Sequence, residues 1–298
     1  MPVAAQRFVK RAALILGLVA SPALATGEAR LIGEVAFDLP RAYAFGGLSA
    51  IEMRQGGAEA LLLSDRGRLF TLRLDGAGDG LPEAALIGDT TLTTPGGTLP
   101  DGRAAMDSEG MARLADGRLA LSFEGDMRFA IHAADGRELA RIAPPPEAGL
   151  LPPNGGYEAL AADAEGRLYT VAERAPGSAP HALWRHDEGG WHVFARLPRQ
   201  SGFRPVALDF DDRGRLTLLE RRFAPLGGFA ARITRYGVTA DGLGPQEVLL
   251  ETRPGIHGNL EGLSLWRDGQ GRLIASMVAD NDLIRFRPNS LVSYRLPD

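Results

Sequence analysis

Apolar side chains run along this chain in short bursts, and five of the bursts end on an acid. They read Leu61-Leu-Leu-Ser-Asp65, Leu119-Ala-Leu-Ser-Phe-Glu124, Leu168-Tyr-Thr-Val-Ala-Glu173, Leu216-Thr-Leu-Leu-Glu220 and Leu273-Ile-Ala-Ser-Met-Val-Ala-Asp280. Their acids recur at intervals of 59, 49, 47 and 60 residues. Runs this short are β-strands, and the pairs Asp116-Gly117 and Asp135-Gly136 between them are hairpin signals. No amphipathic helix of 12 or more residues is predicted after the first 25 positions. Each unit repeats an inner strand, a tight turn, an acid-ended second strand and outer strands, which predicts the four-stranded blades of a β-propeller. The fold expected is all-β with five blades, six remaining open on length alone. The lone strand 30–37 has no partner of its own repeat, so it is expected to join the last blade beside strand 291–296 and close the ring.

Residues 1–25 stand outside this pattern. Arg7, Lys10 and Arg11 precede the apolar stretch 12–20 and Ala23-Leu-Ala25, the layout of a secretory signal peptide cut after Ala25. The expectation is a single domain over 26–298, with no membrane span after cleavage, in the periplasm or secreted. The leader holds three of the 33 basic residues and none of the 37 acids, so the remainder has a net charge of −7. That charge gives no reason to seek nucleic acid and fits a cation or a cationic partner.

Two absences narrow the chemistry. The chain has no cysteine, which excludes disulfides, thiolate metal sites and cysteine nucleophiles. Its only lysine is Lys10, so a mature enzyme has no lysine base or Schiff base, and no Gly-Lys phosphate loop. A Gly-x-Ser-x-Gly nucleophile elbow is also missing. Carboxylates, histidine, arginine and bound metal remain.

At the heads of the inner strands the repeats carry Gly46, Glu109, Glu158, Pro205 and Glu261. Inner strands line a propeller's axis, so Glu109, Glu158 and Glu261 are expected to converge. Antiparallel pairing brings the strand-end acids Asp65, Glu124, Glu173, Glu220 and Asp280 to the same mouth. Such a cluster calls for positive charge, from Ca²⁺ with its six to eight oxygen ligands or from the arginines that follow the acids, Arg66, Arg174 and Arg221. Glu109, Glu158, Glu261, Asp280, Asp65 and Asn259 are the candidate metal ligands. Arg66, Arg174, Arg221, Glu124, Glu173 and Glu220 are the candidates for chemistry around the metal. His257, in the glycine-rich loop before Glu261, is the candidate for proton transfer. A plainer reading has the acids accept hydrogen bonds from turn amides and His257 merely pack. His181, His186 and His192 read as surface residues, and the polar connection 88–103 as a loop free to meet a partner.

Several motifs together resemble one family: Gly46-Gly-Leu-Ser49 with Ser64-Asp-Arg-Gly67, Asp107-Ser-Glu-Gly110 with Phe123-Glu-Gly125, Asn154-Gly-Gly-Tyr-Glu-Ala-Leu160 with Ala172-Glu-Arg174, and Asn259-Leu-Glu-Gly-Leu263 with Ala279-Asp-Asn-Asp282. The set resembles the phytase-like β-propellers, whose family label is "esterase-like activity of phytase". The resemblance covers residues 30–298 and implies an exported propeller with calcium. It implies a monomeric hydrolase of a small-molecule phosphate or carboxylic ester, or alternatively a non-catalytic propeller that binds a small ligand or a protein. The absence of lysine leaves phosphate contacts to arginine, which suits bidentate pairing.

Overall fold

The computed structural model describes residues 29–37, 45–76, 83–152, 154–280 and 289–298. The leader 1–25 and the tail of the last motif, 281–282, lie outside them.

Among the described residues, twenty strands form five four-stranded antiparallel sheets. Strand β1 (Arg30–Phe37) comes first and stands apart. Blade one is β2 (Leu48–Arg54), β3 (Glu59–Ser64), β4 (Arg68–Asp75) and β5 (Glu83–Thr91). Blade two is β6 (Ser108–Arg113), β7 (Leu119–Phe123), β8 (Arg128–His132) and β9 (Glu138–Ile142). Blade three is β10 (Ala159–Ala162), β11 (Leu168–Val171), β12 (His181–Asp187) and β13 (Gly190–Leu197). Blade four is β14 (Arg204–Phe210), β15 (Leu216–Ala224), β16 (Gly228–Thr239) and β17 (Gly242–Glu251). Blade five is β18 (Asn259–Arg267), β19 (Leu273–Asp280) and β20 (Asn289–Arg295), with β1 as its outermost strand. The ring is therefore five-bladed, and β1 closes it by pairing with β20, Glu34 opposite Val292.

The apolar runs explain why the blades stack. Each of the five hydrophobic clusters is shared by two neighbouring blades, as in Leu61, Leu63 and Leu69 of blade one against Met111, Leu121 and Phe123 of blade two. The last cluster joins Leu62 and Phe70 of blade one to Trp266, Ile274 and Val278 of blade five. A blade packs both faces against its neighbours, so its second strand is buried along its length, as in β7 and β11, while an outer strand such as β9 is largely exposed. The five sheets are separate ladders, and polar links cross the closure: the Met53 amide donates to Ser264 Oγ at 2.9 Å.

Two expectations change here. The connection 88–103 is not wholly loop: its first four residues complete β5, and Thr93 makes a parallel bridge to Arg137 of blade two. His181 is buried, at 4% exposure, its Nδ1 against the Ala172 carbonyl at 3.0 Å. The run it begins is the inward-packed third strand of its blade.

Candidate functional site

The site is built by one irregularity repeated around the ring. At the start of each inner strand the ladder with the second strand is interrupted. Leu48 faces Ser64, Pro205 faces Glu220 and Leu260 faces Ala279, and in each case the next inner residue is an extra one. In blade two Ser108 faces Phe123 and the register resumes at Met111 opposite Leu121. A β-bulge of this kind bends the strand and re-aims a side chain. Blade three falls into the same frame, because the Glu173 amide bonds the Gly156 carbonyl as Asp65 bonds Gly47 and Glu124 bonds Asp107.

Two rings of equivalent positions follow. The bulge position holds Ser49, Glu109, Glu158, Val206 and Glu261, and the second-strand position one residue beyond the pair that precedes the bulge holds Asp65, Glu124, Glu173, Arg221 and Asp280. The equivalents of the three glutamates are thus Ser49 and Val206, not Gly46 and Pro205. More consequentially, blade four presents Arg221 where Glu220 is expected. Side chains alternate along a strand, so the one-residue offset turns Glu220 away from the axis. There it is 6% exposed and accepts Arg232 Nε–H at 2.9 Å, with Thr234 Oγ1 at 3.3 Å.

A cavity of about 310 Å³ opens between the rings, lined by Asp65, Glu109, Glu124, Glu158, Glu173, Glu261 and Asp280 together with Arg174 and Arg221. Its two sides differ. On the side of blade two, Asp107, Glu109 and Glu124 each bring a carboxylate oxygen within 4.8 Å of the others. On the side of blade four, Arg221 reaches Glu261, donates to Asn259 Oδ1 at 2.7 Å, and stands 3.4 Å from Glu158 and 3.5 Å from Glu173. Glu173 is further met by Arg174 and Arg204, each at 3.3 Å. Backbone amides hold other acids in place: Gly156 donates to Glu124 at 2.8 Å and Leu48 to Asp280 at 3.2 Å. Gly47, at φ +62°, is required, since a Cβ there would lie 2.0 Å from Asp65 Oδ1.

The electrostatics record this crowding. Burial, then the charges of Glu158, Glu261, Asp107 and Glu124, push the Glu109 carboxyl well above the ordinary range. Burial likewise raises Glu158, although Arg221 opposes the shift. Asp65, Asp107 and Glu124 are raised too, again chiefly by burial. For Arg221, burial works against the charged form, but Glu261, Glu158 and Glu173 outweigh it and raise the guanidinium further. At the other end of the blades three turn acids are each paired with an arginine of their own turn. Asp163, Asp211 and Asp268 each accept from the arginine four residues on at 2.6 Å.

The remaining expected residues separate. Arg66 stands beside Asp65 at 3.9 Å with 45% of its side chain exposed, at the rim. Asn259 turns to Arg221 and Glu261, its Nδ2 donating to Glu261 at 2.6 Å, on the arginine side rather than with the compact acid group. His257 is not among the cavity's lining residues. It is buried with both nitrogens engaged, Nδ1 to Glu34 at 2.8 Å and Nε2 to the Tyr294 hydroxyl at 2.7 Å, and so ties the closing strand to blade five. Asp107 and Arg204 belong to the site although no repeat rule selected them. Asp107 had a signal, standing two residues before Glu109. Arg204 had none, since only the pairing of Arg204 with Arg221 brings it in.

The donor set of Asp107, Glu109 and Glu124, three hard oxygen donors in one half-buried group, fits a divalent cation such as Ca²⁺. Residues 43–283 match the family model Phytase-like, described as esterase-like activity of phytase. The chain belongs to the phytase-like family. No curated protein matches this phytase-like chain in sequence. Among solved structures, it is similar to an α-L-arabinofuranosidase from Podospora anserina, with 10% identity, 91% of this chain and 98% of that one covered, and a TM-score of 0.52. A gluconolactonase from Xanthomonas campestris aligns at 14% identity over 85% of this chain and 86% of that one, with a TM-score of 0.47. Likeness at this level concerns the fold alone.

Proposed function

We propose that this phytase-like propeller is exported to the periplasm or beyond and, as a monomer, hydrolyses a small phosphate or carboxylic ester with the help of Ca²⁺. The observation that carries the reading is the division of the mouth into a compact acid group, Asp107, Glu109 and Glu124, and a facing arginine group of Arg221, Arg204 and Arg174. The acid group would hold the ion, and bound calcium supplies polarisation of an ester oxygen and of a water. Arg221 and Arg174, preorganised by their carboxylate partners, would hold the negative charge that develops on the ester. Glu158 lies between the two groups, in the field of both Glu124 and Arg221. It is the carboxylate positioned to accept a proton from the attacking water and return it to the leaving alcohol as the ester bond breaks.

The test is melting temperature in chelator and in a calcium titration, followed by turnover of aryl phosphates and aryl esters. Calcium at 100 times its dissociation constant adds about 2.7 kcal/mol. At roughly 2 to 4 °C per kcal/mol the shift is several degrees. Glu109→Gln and Asp107→Asn should abolish it, and Glu158→Gln should abolish turnover while keeping it. No shift with any divalent ion and no turnover would sink the proposal. A binding propeller is the second reading, favoured by Arg221 already balancing Glu158, Glu173 and Glu261. A calcium shift with no turnover of any ester would select it.

A further inference from the structure

Blade four differs from the others in length as well as charge. In blade one the pairing of second and third strands ends at Ser64 opposite Arg68, and in blade two at Phe123 opposite Arg128. In blade four the equivalent pair is Glu220 and Arg232, yet the ladder continues through Arg221, Arg222 and Phe223 to Ala224 opposite Gly228. Four extra pairs at about 3.3 Å per residue carry this hairpin about 13 Å past the level of the ring.

The extension is apolar and open. Phe223 and Phe229 face each other across it with ring centroids 5.2 Å apart. Phe223 is 60% exposed, Leu226 at the tip is fully exposed, and Ile256 of the adjoining loop is 44% exposed. The tip is braced: Gly255 N–H donates to the Phe229 carbonyl at 2.8 Å, and a Cβ on Gly255, at φ +81°, would sit 2.6 Å from the Gly227 carbonyl. A cavity of about 540 Å³ runs from Phe223 and Phe229 to Arg204, Arg221, Glu173 and Glu261, so the aromatic pair shares a space with the arginine side of the mouth, and Glu173, Arg221 and Glu261 line both this cavity and the central one. The seam is the Arg221 guanidinium, 5.9 Å from the centre of the Phe229 ring. Single exposed apolar residues are ordinary on a surface, but a braced aromatic pair at the rim of a charged cavity is a place for a ligand.

We propose that this hairpin is the wall against which the alcohol part of the substrate packs, so that the site selects esters of an aromatic or similarly flat apolar alcohol over esters of a polyol. The proposal rests on the ester-hydrolase reading above. The aryl group lies on Phe223 and Phe229, and the ester group reaches the arginines and the ion-holding acids beyond.

The test measures binding of 1-naphthylphosphonate and methylphosphonate in calcium, for the wild type and for Phe223→Ala/Phe229→Ala, beside turnover of 1-naphthyl phosphate and glycerol phosphate. The naphthyl probe should bind about tenfold or more tightly than the methyl probe, and the double variant should erase that preference. Leu226→Ser, at a fully exposed tip, should lower it less and provides a variant whose folding is not in question. Naphthyl preference that survives the double variant, or naphthylphosphonate binding no tighter than methylphosphonate or absent, overturns the proposal. Loss of a wild-type dimer in the double variant, with no change in ligand preference, would make the wall a contact between copies and also overturn it. If no ester is turned over but the preference and its loss are observed, the hydrolase reading fails and the wall stands.

Discussion

Blades two and four are built on the same strand order and the same bulge, yet they give the mouth opposite chemistry. At the three equivalent positions blade two places Asp107, Glu109 and Glu124, and blade four places Arg204, Val206 and Arg221. One blade gathers negative charge and pushes its carboxyls up by burial and mutual repulsion. The other supplies the cations that satisfy Glu158, Glu173 and Glu261. The scaffold therefore fixes where a side chain points, and substitution at a few positions fixes what the mouth can do. Breaking the repeat's symmetry is what makes a site here: a fivefold acid ring would repel itself, whereas this one has a side that wants a cation and a side that offers one.

The comparison breaks most severely at Arg221. Arg221→Leu leaves Glu158, Glu173 and Glu261 clustered without their shared cation, and removing one partner of buried charges costs about 3 to 5 kcal/mol. Urea unfolding at neutral pH should record that loss, and calcium should recover part of it if the ion can take the arginine's place.

Glu220→Gln sharpens the same contrast from the other side of the strand. It weakens the buried pair with Arg232, at about 1.5 to 3 kcal/mol for hydrogen bonds to a charged group. The calcium-induced shift in melting temperature should be unchanged, since Glu220 does not line the cavity. A lost calcium response in this variant would mean that the off-axis placement is wrong.

His257→Ala removes the partner of Glu34 and Tyr294 and leaves the buried hydroxyl unsatisfied, at about 1 to 3 kcal/mol. The loss should appear as faster amide exchange in β1 and β20, with ester turnover kept. Lost turnover with a normal exchange pattern would return His257 to the chemistry.

The smallest effect expected is on pH dependence in chelator. Glu109, Glu158, Asp65, Asp107 and Glu124 have folded-state values raised above their ordinary ones. The folded state then holds more protons than the unfolded state between the ordinary value, 4.5 for a glutamate, and the raised one. Stability from these groups consequently falls as pH rises through that window. Calcium should reverse the trend, because it binds the deprotonated acids and loses to protons as pH falls. Melting curves from pH 5 upward, with and without calcium, would check both signs; parallel curves would contradict the blade-two site.

Much of this was legible in the chain. Apolar runs at near-regular spacing specify blades, because each run must bury both faces against neighbouring sheets, and Asp-Gly turns fix the hairpins. The unpartnered strand 30–37 specified its own place at the open edge. Glu109, Glu158 and Glu261 could be aligned, since an inner strand has only one start. Glu220 could not be told from Arg221 by sequence, because two adjacent polar residues at a strand end point to opposite faces and only the register, offset by one bulged residue, decides which faces the axis. The place of His257 was hidden for a related reason: its neighbours in sequence approach the mouth, while its partners Glu34 and Tyr294 come from strands 223 and 37 residues away. The sequence by itself determined the repeat, the closure and the kinds of side chain available to the site. Tertiary structure alone decided which carboxylates share an ion-sized space, which arginine answers them and that an aromatic hairpin stands over the mouth. Those depend on distances between residues far apart in the chain, and a sequence pattern constrains such distances only through the packing it produces.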